Sequence, residues 1–419
     1  MGMAQSRYLS LVEKAAALLL LIYPTLTFAV KGGMNGVFLL MLLLAIAVWA
    51  VRPSGMNTVK WQHEWKAYFL AMGAIAAAIF ISQIYHQNYD AHPHDAASRY
   101  WLAIPVFLLL QRLRLNVFIA LQFAFPVAAI TGFLLARNPV DGRSGIGTLD
   151  LIHFGNFELI LGVLSLFSID WFGRDRLLLR ILKILGFAAG LAASLASGSR
   201  GGWLAIPVFI AIFFYFKVTR VSLKMVAASL VPAILAITIV YSASSTFHQR
   251  VNELANDVAT FDQGNRDTST GIRWQLYKAA VDVFMRHPIF GVGPEGFAAE
   301  MKPMVDAGKI TPKAAELGRG EVHNDILSRA AGMGLFGLLA ILAIYFAPLN
   351  LFWRATRSAS EKIKRTGILG IAFVSGFFVF GLTVEFLNLT MAAAFYSFTV
   401  AVLLAACYNI HHGGPFIKP

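Results

Sequence analysis

Cysteine is almost absent from this sequence, since Cys407 is the only one among 419 residues. A single thiol excludes an intrachain disulfide, and it excludes zinc or iron–sulfur sites built from several cysteines. Charged residues are also scarce, because Asp, Glu, Lys and Arg make up 14% of the chain, well below the roughly 25% usual in soluble domains. Hydrophobic residues make up 58%, which favours a membrane protein over a soluble one.

The apolar residues fall into runs of about 18–22 residues, the length that a helix needs to cross the hydrocarbon core. They predict an all-α polytopic membrane protein with about twelve transmembrane helices. The predicted spans are residues 12–30, 34–51, 67–84, 99–111, 114–135, 150–171, 177–197, 201–217, 222–243, 324–347, 366–387 and 389–408. The chain therefore divides into an N-terminal membrane region (1–243), one large loop with an amphipathic helix (244–323) and a C-terminal membrane region (324–419).

The net charge of +13 could indicate nucleic-acid binding, but the basic residues lie mostly in short loops between spans. Lys and Arg in such loops set membrane orientation. One set of alternate loops is basic, for example around 174–183 and 354–365. The other set carries only Lys31, Arg99, Arg137, Arg143 and Arg200. The positive-inside rule then places both termini in the cytoplasm and the large loop on the other side, and no nucleic-acid partner is expected.

The few outward arginines oppose this bias, so orientation does not explain them. A guanidinium presents a fixed fork of donors to phosphate oxygens. Arg200 lies in the tight turn Ser197–Trp203, and Arg273 lies beside Trp274 on a helix predicted from Ile272 to Arg286. Both are candidates for an anion site, although a structural ion pair for Arg200 and a solvated position for Arg273 are the alternatives.

His323 lies at the outer boundary, directly before the tenth predicted span. A neutral imidazole there could accept a proton near neutral pH, or it could cap the helix or meet lipid headgroups. Glu158, inside the sixth predicted span, is either a proton relay or the partner of an arginine.

Several motifs are similar to one known family. His323-Asn324 precedes Gly334-Leu335-Phe336-Gly337 by nine residues, which resembles a signature of bacterial O-antigen ligases. The Ser199–Trp203 turn, and the stretch from Arg273 to Gly293, resemble the shared region of O-antigen ligases and polymerases. The resemblance implies a membrane glycosyltransferase of the GT-C-like class in the bacterial inner membrane, with its active site and large loop at the periplasmic face.

The resemblance also implies a reaction. A polysaccharide on undecaprenyl diphosphate is transferred to a sugar hydroxyl of lipid A–core, with inversion and without a metal or cofactor. No Asp-x-Asp pair stands out on the outward side. The resemblance implies that Arg200 and Arg273 clamp the diphosphate, assisted by Arg143 and Arg266. It implies that His323 deprotonates the acceptor hydroxyl or holds it for direct attack on the anomeric carbon. Asn324 and Trp274 would contact the substrate.

Three alternatives remain at this point. An O-antigen polymerase uses the same lipid-linked donor, although the motif from His323 to Gly337 favours the ligase. A protein O-oligosaccharyltransferase usually carries a longer C-terminal periplasmic region. A transporter would be expected to show internal repeats and polar residues at mid-membrane, whereas the candidate residues here gather at one face.

Overall fold

The chain is almost entirely helical in a computed structural model that describes residues 2–51, 63–136, 138–140, 143–217, 252 and 266–409. The N-terminal helices are α1 (Gly2–Ala29), α2 (Gly33–Val51), α3 (Trp65–His86), α4 (His92–Leu110) and α5 (Leu121–Leu135), the last preceded by a 3₁₀ turn, Leu115–Ala120. A short hairpin, β1 (Asn138–Val140) with β2 (Arg143–Gly145), follows α5. Next come α6 (Leu151–Phe167), α7 (Leu177–Ser197), α8 (Arg200–Trp203) and α9 (Ala205–Lys217).

Three helices of the large loop follow, and then three helices of the C-terminal membrane region. They are α10 (Ser269–Arg286), α11 (Phe297–Asp306), α12 (Pro312–Gly318), α13 (Asp325–Ala355), α14 (Glu361–Gly381) and α15 (Thr390–Cys407). The predicted span 222–243, and the loop residues 244–265 apart from 252, lie outside the described residues. Every other predicted span falls on one of these helices, and α10 confirms the helix predicted in the loop.

Within the described residues, eight stretches are long and apolar enough to cross a membrane. They are Arg7–Ala29, Gly33–Val51, Trp65–His86, Leu115–Leu135, Leu177–Ser197, Asp325–Ala355, Glu361–Gly381 and Thr390–Cys407. Leu151–Phe167 and Arg200–Phe216 are apolar but shorter. The protein is therefore a polytopic helical membrane protein, while the count of twelve spans stays a prediction.

Helix α15 lies at the centre of the bundle, because 89% of its apolar stretch is buried inside the molecule. It packs against α4, α14, α2 and α13. Aromatic rings join these helices, as where Phe377 of α14 stacks on Phe395 and contacts Tyr396. The bundle thus holds the ends of its helices in fixed positions, and the functional candidates lie at those ends.

The loop helices α10–α12 have a small apolar core of their own. Ile272, Leu276 and Val283 of α10 pack with Phe297 and Met301 of α11. Ala331 of α13 belongs to the same cluster. The outer unit, residues 266–322, is therefore seated on the first turns of a bundle helix.

A break in α13 provides that seat. Gly334 has φ 62° and ψ −144°, which interrupts the helix. Carbonyl groups of the preceding turn therefore accept hydrogen bonds from outside the helix. Val292 N–H donates to the Ala331 carbonyl (3.1 Å) and Gly293 N–H donates to the Gly332 carbonyl (2.9 Å). The stretch that ends at Gly293 and the helical turn before Gly334 are thus joined backbone to backbone.

Candidate functional site

The turn before α13 holds His323 in a defined place. His323 has a left-handed backbone (φ 59°), uncommon for a residue with a Cβ. The next residue, Asn324, caps α13, since its side-chain oxygen accepts from the N–H groups of Ile326 and Leu327, each at 3.0 Å. The cap fixes the helix start, and the turn sets His323 at the edge of the bundle.

His323 is mostly enclosed, with 22% of its side chain exposed. Its Nδ1 lies 3.6 Å from Oε2 of Glu321 and has no hydrogen-bond partner among the described residues. Burial lowers the pKa of His323 to about 4, and the positive charge of Arg273 contributes to that shift. The imidazole is therefore neutral at physiological pH and has a nitrogen available to accept a proton.

Arg273 reaches the same place from α10. Its side chain is half-buried, and it forms no ion pair with an acid in the described part of the chain. Burial lowers its pKa, and the charge of Arg200 lowers it further. A guanidinium stays protonated despite such shifts, so two neighbouring cations face one region.

The carbonyl of Leu382 ties three elements together at this region. The Tyr277 hydroxyl of α10 shares its proton between the Leu382 carbonyl (2.8 Å) and the His323 carbonyl (3.2 Å). The Asn324 side-chain N–H₂ donates to the same Leu382 oxygen at 3.1 Å. The helix that carries Arg273 is thereby connected to the residue that carries the candidate base.

The Arg200 turn packs closely on α6 and on the segment after α14. A Cβ on Gly201 would lie 2.5 Å from the Thr383 hydroxyl, and one on Gly202 would collide with the Asn156 amide. Only residues without side chains allow this approach. Arg200 is therefore the sequence neighbour of Gly201, which packs on Thr383. Thr383 belongs to the segment to which the turn of His323 and the helix of Arg273 are hydrogen-bonded.

Of the four residues predicted to assist or contact the substrate, the structure brings two close to the site. Arg143, on β2, donates from Nε to the Ser197 carbonyl at 2.6 Å, so it braces the Arg200 turn. Asn324 is brought to the site through its cap and its bond to Leu382.

Trp274 is 49% exposed, with the Lys278 ammonium 5.2 Å from its ring centroid. The side chain of Arg266 is exposed, and no described contact brings Arg266 or Trp274 to His323.

Residues 382–389, which we call the hub segment, were not recognised from the sequence. The predicted span 366–387 was wrong at its end, because α14 stops at Gly381. Glu385 accepts from the Val322 N–H (2.5 Å) and the Ser328 hydroxyl (2.8 Å), and Leu387 N–H donates to Asp325 (3.1 Å). Burial raises the pKa of Glu385. The signal available was the polar run of Thr383, Glu385 and Asn388 within an apolar stretch.

A second histidine was also not proposed for the site. Asp150 caps α6 and contacts Nδ1 of His153, while the His153 ring stacks on Phe386 of the hub segment. Nε2 of His153 is buried and has no hydrogen-bond partner in the part of the chain that the structure describes. Burial raises the pKa of Glu321, and the proximity of His153 counteracts that rise. Asp150 and His153 therefore lie near Glu321, whose carboxylate is 3.6 Å from His323. The Asp-x-x-His spacing at a helix start was the available signal.

Glu158 differs from the expectation that an arginine pairs with it. It is fully buried in α6, and neither carboxylate oxygen has a hydrogen-bond partner among the described residues.

Across all the residues that the structure describes, no group of three His, Cys, Asp or Glu side chains is arranged to hold a metal ion.

Comparison with known proteins shows which family this region is similar to. The model of the O-antigen ligase family matches residues 185–342. A protein of Escherichia coli K12 named O-antigen ligase is 23% identical over 248 residues, which cover 58% of this chain and 57% of that protein. An uncharacterized protein of Haemophilus influenzae is 24% identical over 286 residues, which cover 67% of this chain and 71% of that protein.

The matched region runs from α7 into α13 and contains Arg200, Arg273 and His323. The resemblance predicted from the motifs is therefore confirmed over these residues. It supports a ligase- or polymerase-type role in O-antigen processing.

Proposed function

Because residues 185–342 match the O-antigen ligase family, we propose that this protein transfers a polysaccharide from undecaprenyl diphosphate to a sugar hydroxyl of lipid A–core. It would act at the periplasmic face of the bacterial inner membrane, with both termini cytoplasmic, as the Lys and Arg distribution predicts. The observation that carries the proposal is that Arg200, Arg273 and His323 share one end of the bundle.

The two arginines suit a diphosphate. Like charges held close together repel one another unless an anion lies between them, and Arg273 already has a pKa lowered by burial and by Arg200. A diphosphate would neutralise both guanidinium groups and accept their forked hydrogen bonds. As the leaving group gains charge in the transition state, this attraction would strengthen, which accelerates the reaction.

His323 suits the acceptor side. Its neutral imidazole would take the proton of a lipid A–core hydroxyl while that oxygen attacks the anomeric carbon of the donor sugar. The bond from the anomeric carbon to the phosphate oxygen breaks as the new glycosidic bond forms. Undecaprenyl diphosphate leaves, and a single displacement inverts the anomeric configuration.

The remaining residues would support these three. Arg143 would hold the Arg200 turn through Ser197, and Asn324 would hold the start of α13. The guanidinium charges would supply the stabilisation that a divalent metal gives in many other glycosyltransferases. Transfer is therefore proposed to be independent of metal.

Reconstitution in liposomes tests the proposal. The purified protein is supplied with a lipid-linked glycan and either lipid A–core or a second lipid-linked chain, with and without EDTA. We expect product on lipid A–core in both buffers. Chain growth on the second lipid-linked chain would instead identify an O-antigen polymerase, and loss of activity in EDTA would contradict the metal-free mechanism.

An Arg273→Gln variant tests the clamp in the same assay. Loss of one charged contact to the leaving group is expected to lower the rate on the order of 10²–10³. Lys313→Gln is the control, because it removes an exposed cation of the outer unit to which no role in the site is assigned. Equal rates for the two variants would contradict the role of Arg273.

A further inference from the structure

A cleft of about 860 Å³ lies at the end of α7 opposite to the candidate site. Its lining comes from the first turns of α7, from the start of α5 and from the loop between α6 and α7. Arg200 follows the other end of α7. A helix of this length spans about 30 Å, so the cleft and the candidate site are about one membrane thickness apart.

The walls of the cleft are apolar yet open to the surroundings. Leu178 is 81% exposed and Phe123 is 41% exposed, and Leu182 is a third apolar residue of the lining. Helices α5 and α7, which carry these residues, belong to stretches that are long and apolar enough to cross a membrane. Hydrocarbon rather than water is the medium that suits these side chains.

The mouth of the cleft is positively charged. Arg174 and Arg176 both line it and are exposed, and neither forms an ion pair with an acid in the part of the chain that the structure describes. The one lining acid, Asp175, is engaged by the buried Lys183 ammonium at 2.8 Å. The two arginines therefore leave a local surplus of positive charge beside apolar walls.

The loop that carries these arginines is held in shape. Asp170 N–H donates to Asp175 (2.9 Å), and Asp175 N–H donates back to Asp170 (2.8 Å). Lys183 also donates to the Gln122 side chain (2.8 Å) and to the Ser168 carbonyl (2.6 Å), which joins the loop to α5. The cleft is thus built by a hydrogen-bonded network rather than by a loosely packed loop.

We propose that this cleft binds one anionic phospholipid. Its phosphate would lie between Arg174 and Arg176, which offer forked donors, and an acyl chain would lie along Phe123, Leu178 and Leu182. A zwitterionic lipid fits less well, because its own cation is repelled by the arginines. Under the predicted orientation the site faces the cytoplasmic leaflet, away from the transfer reaction, and it does not depend on that reaction.

Native mass spectrometry of the full-length protein, with equal amounts of phosphatidylglycerol and phosphatidylcholine, tests the site. We expect the wild type to retain phosphatidylglycerol preferentially. Arg174→Ala/Arg176→Ala should reduce that preference on the order of tenfold. The matched control is Arg357→Ala/Lys362→Ala, which removes two exposed cations at the same end of the bundle and should leave the preference unchanged. Equal preference in the wild type and the cleft variant would overturn the proposal.

Thermal unfolding separates a lipid from a free anion. Because a ligand of the folded state raises its stability, short-chain phosphatidylglycerol should raise the Tm of the wild type and not that of Arg174→Ala/Arg176→Ala. Inorganic phosphate at the same concentration should raise neither. If inorganic phosphate stabilises the wild type as much as the lipid does, the site binds a free anion and the lipid proposal is wrong.

Discussion

His323 shows how neighbouring residues tune one side chain. Enclosure by the turn before α13, and the nearby charge of Arg273, both disfavour the imidazolium, so its pKa falls to about 4. Its Nδ1 has no hydrogen-bond partner among the residues that the structure describes, and it lies near the charge of Arg273. The residue is therefore kept in its neutral form, the form that can accept a proton from a bound hydroxyl.

His323→Gln should abolish most transfer while leaving the fold intact. Glutamine keeps the size and polarity of the side chain but cannot act as a base, so the rate should fall on the order of 10²–10⁴. Capping of lipid A–core in cells and the Tm of the purified variant are the measurements. His287→Gln, at an exposed histidine of the outer unit, serves as the control, and normal capping by His323→Gln would contradict its assignment.

The decrease of kcat/KM at acid pH should report the protonation of His323. Because the pKa is lowered to about 4, activity should persist as the pH falls below 6.5, the usual value for histidine, and decline only near 4. Arg273→Gln removes one cause of the shift, so its residual activity should decline at a higher pH. A decline at an unchanged pH in this variant would show that Arg273 does not influence the titrating group.

At the scale of elements, the site depends on how α10 is attached to the bundle. One attachment is the docking of residues 288–293 on the break in α13, where Leu335 N–H also donates to the Pro288 carbonyl at 2.8 Å. The other is the Tyr277 hydroxyl, which reaches both His323 and Leu382. The first attachment holds the outer unit in place, and the second sets the spacing between Arg273 and His323.

Gly334→Ala should loosen the outer unit. The added methyl group would collide with the Ile289 backbone, and the left-handed φ of 62° disfavours any side chain. We expect a loss of about 1–3 kcal/mol in stability and faster proteolysis of residues 266–322. Gly36→Ala is the control, since a Cβ there meets no described atom within 4 Å. Equal protease resistance would argue against the docking role.

Tyr277→Phe should affect the site more than the fold. Losing one hydroxyl costs about 0.5–1.5 kcal/mol of stability, while the altered register of α10 should lower kcat more than it raises KM. Tyr89→Phe, at a tyrosine that is 64% exposed, controls for loss of a phenol. The proposed coupling would be wrong if kcat were the same in both variants.

At the scale of the molecule, the hydrophobic pattern of the sequence predicted the positions of the helices better than the contacts between their ends. Apolar runs located every described span, because crossing a membrane requires a fixed length of apolar helix. Arg200 and Arg273 became candidates because outward arginines oppose the orientation bias, and His323 because it begins the motif that resembles the family. Their roles stay predictions. The hub segment was missed, since Glu385 looks like a span residue until its partners Val322 and Ser328 are known.

The predicted orientation can be tested with the single native cysteine removed. In a Cys407→Ala background, Lys302→Cys on the outer unit should react with an impermeant maleimide in intact spheroplasts, because Lys302 is exposed on α11. Lys362→Cys, at the other end of the bundle, should react only after permeabilisation. The reverse labelling pattern would invert the topology and move the proposed site to the cytoplasmic face.

The hub segment also affects how the chain can be recombined with its relatives. It lies at residues 382–389, beyond the region 185–342 that the family model matches, yet it contacts the turns or helices that carry all three candidate residues. A chimera that exchanges only the matched region would join foreign arginine and histidine turns to a native hub. Exchanges that keep activity should therefore include α14, the hub segment and α15 together with the matched region.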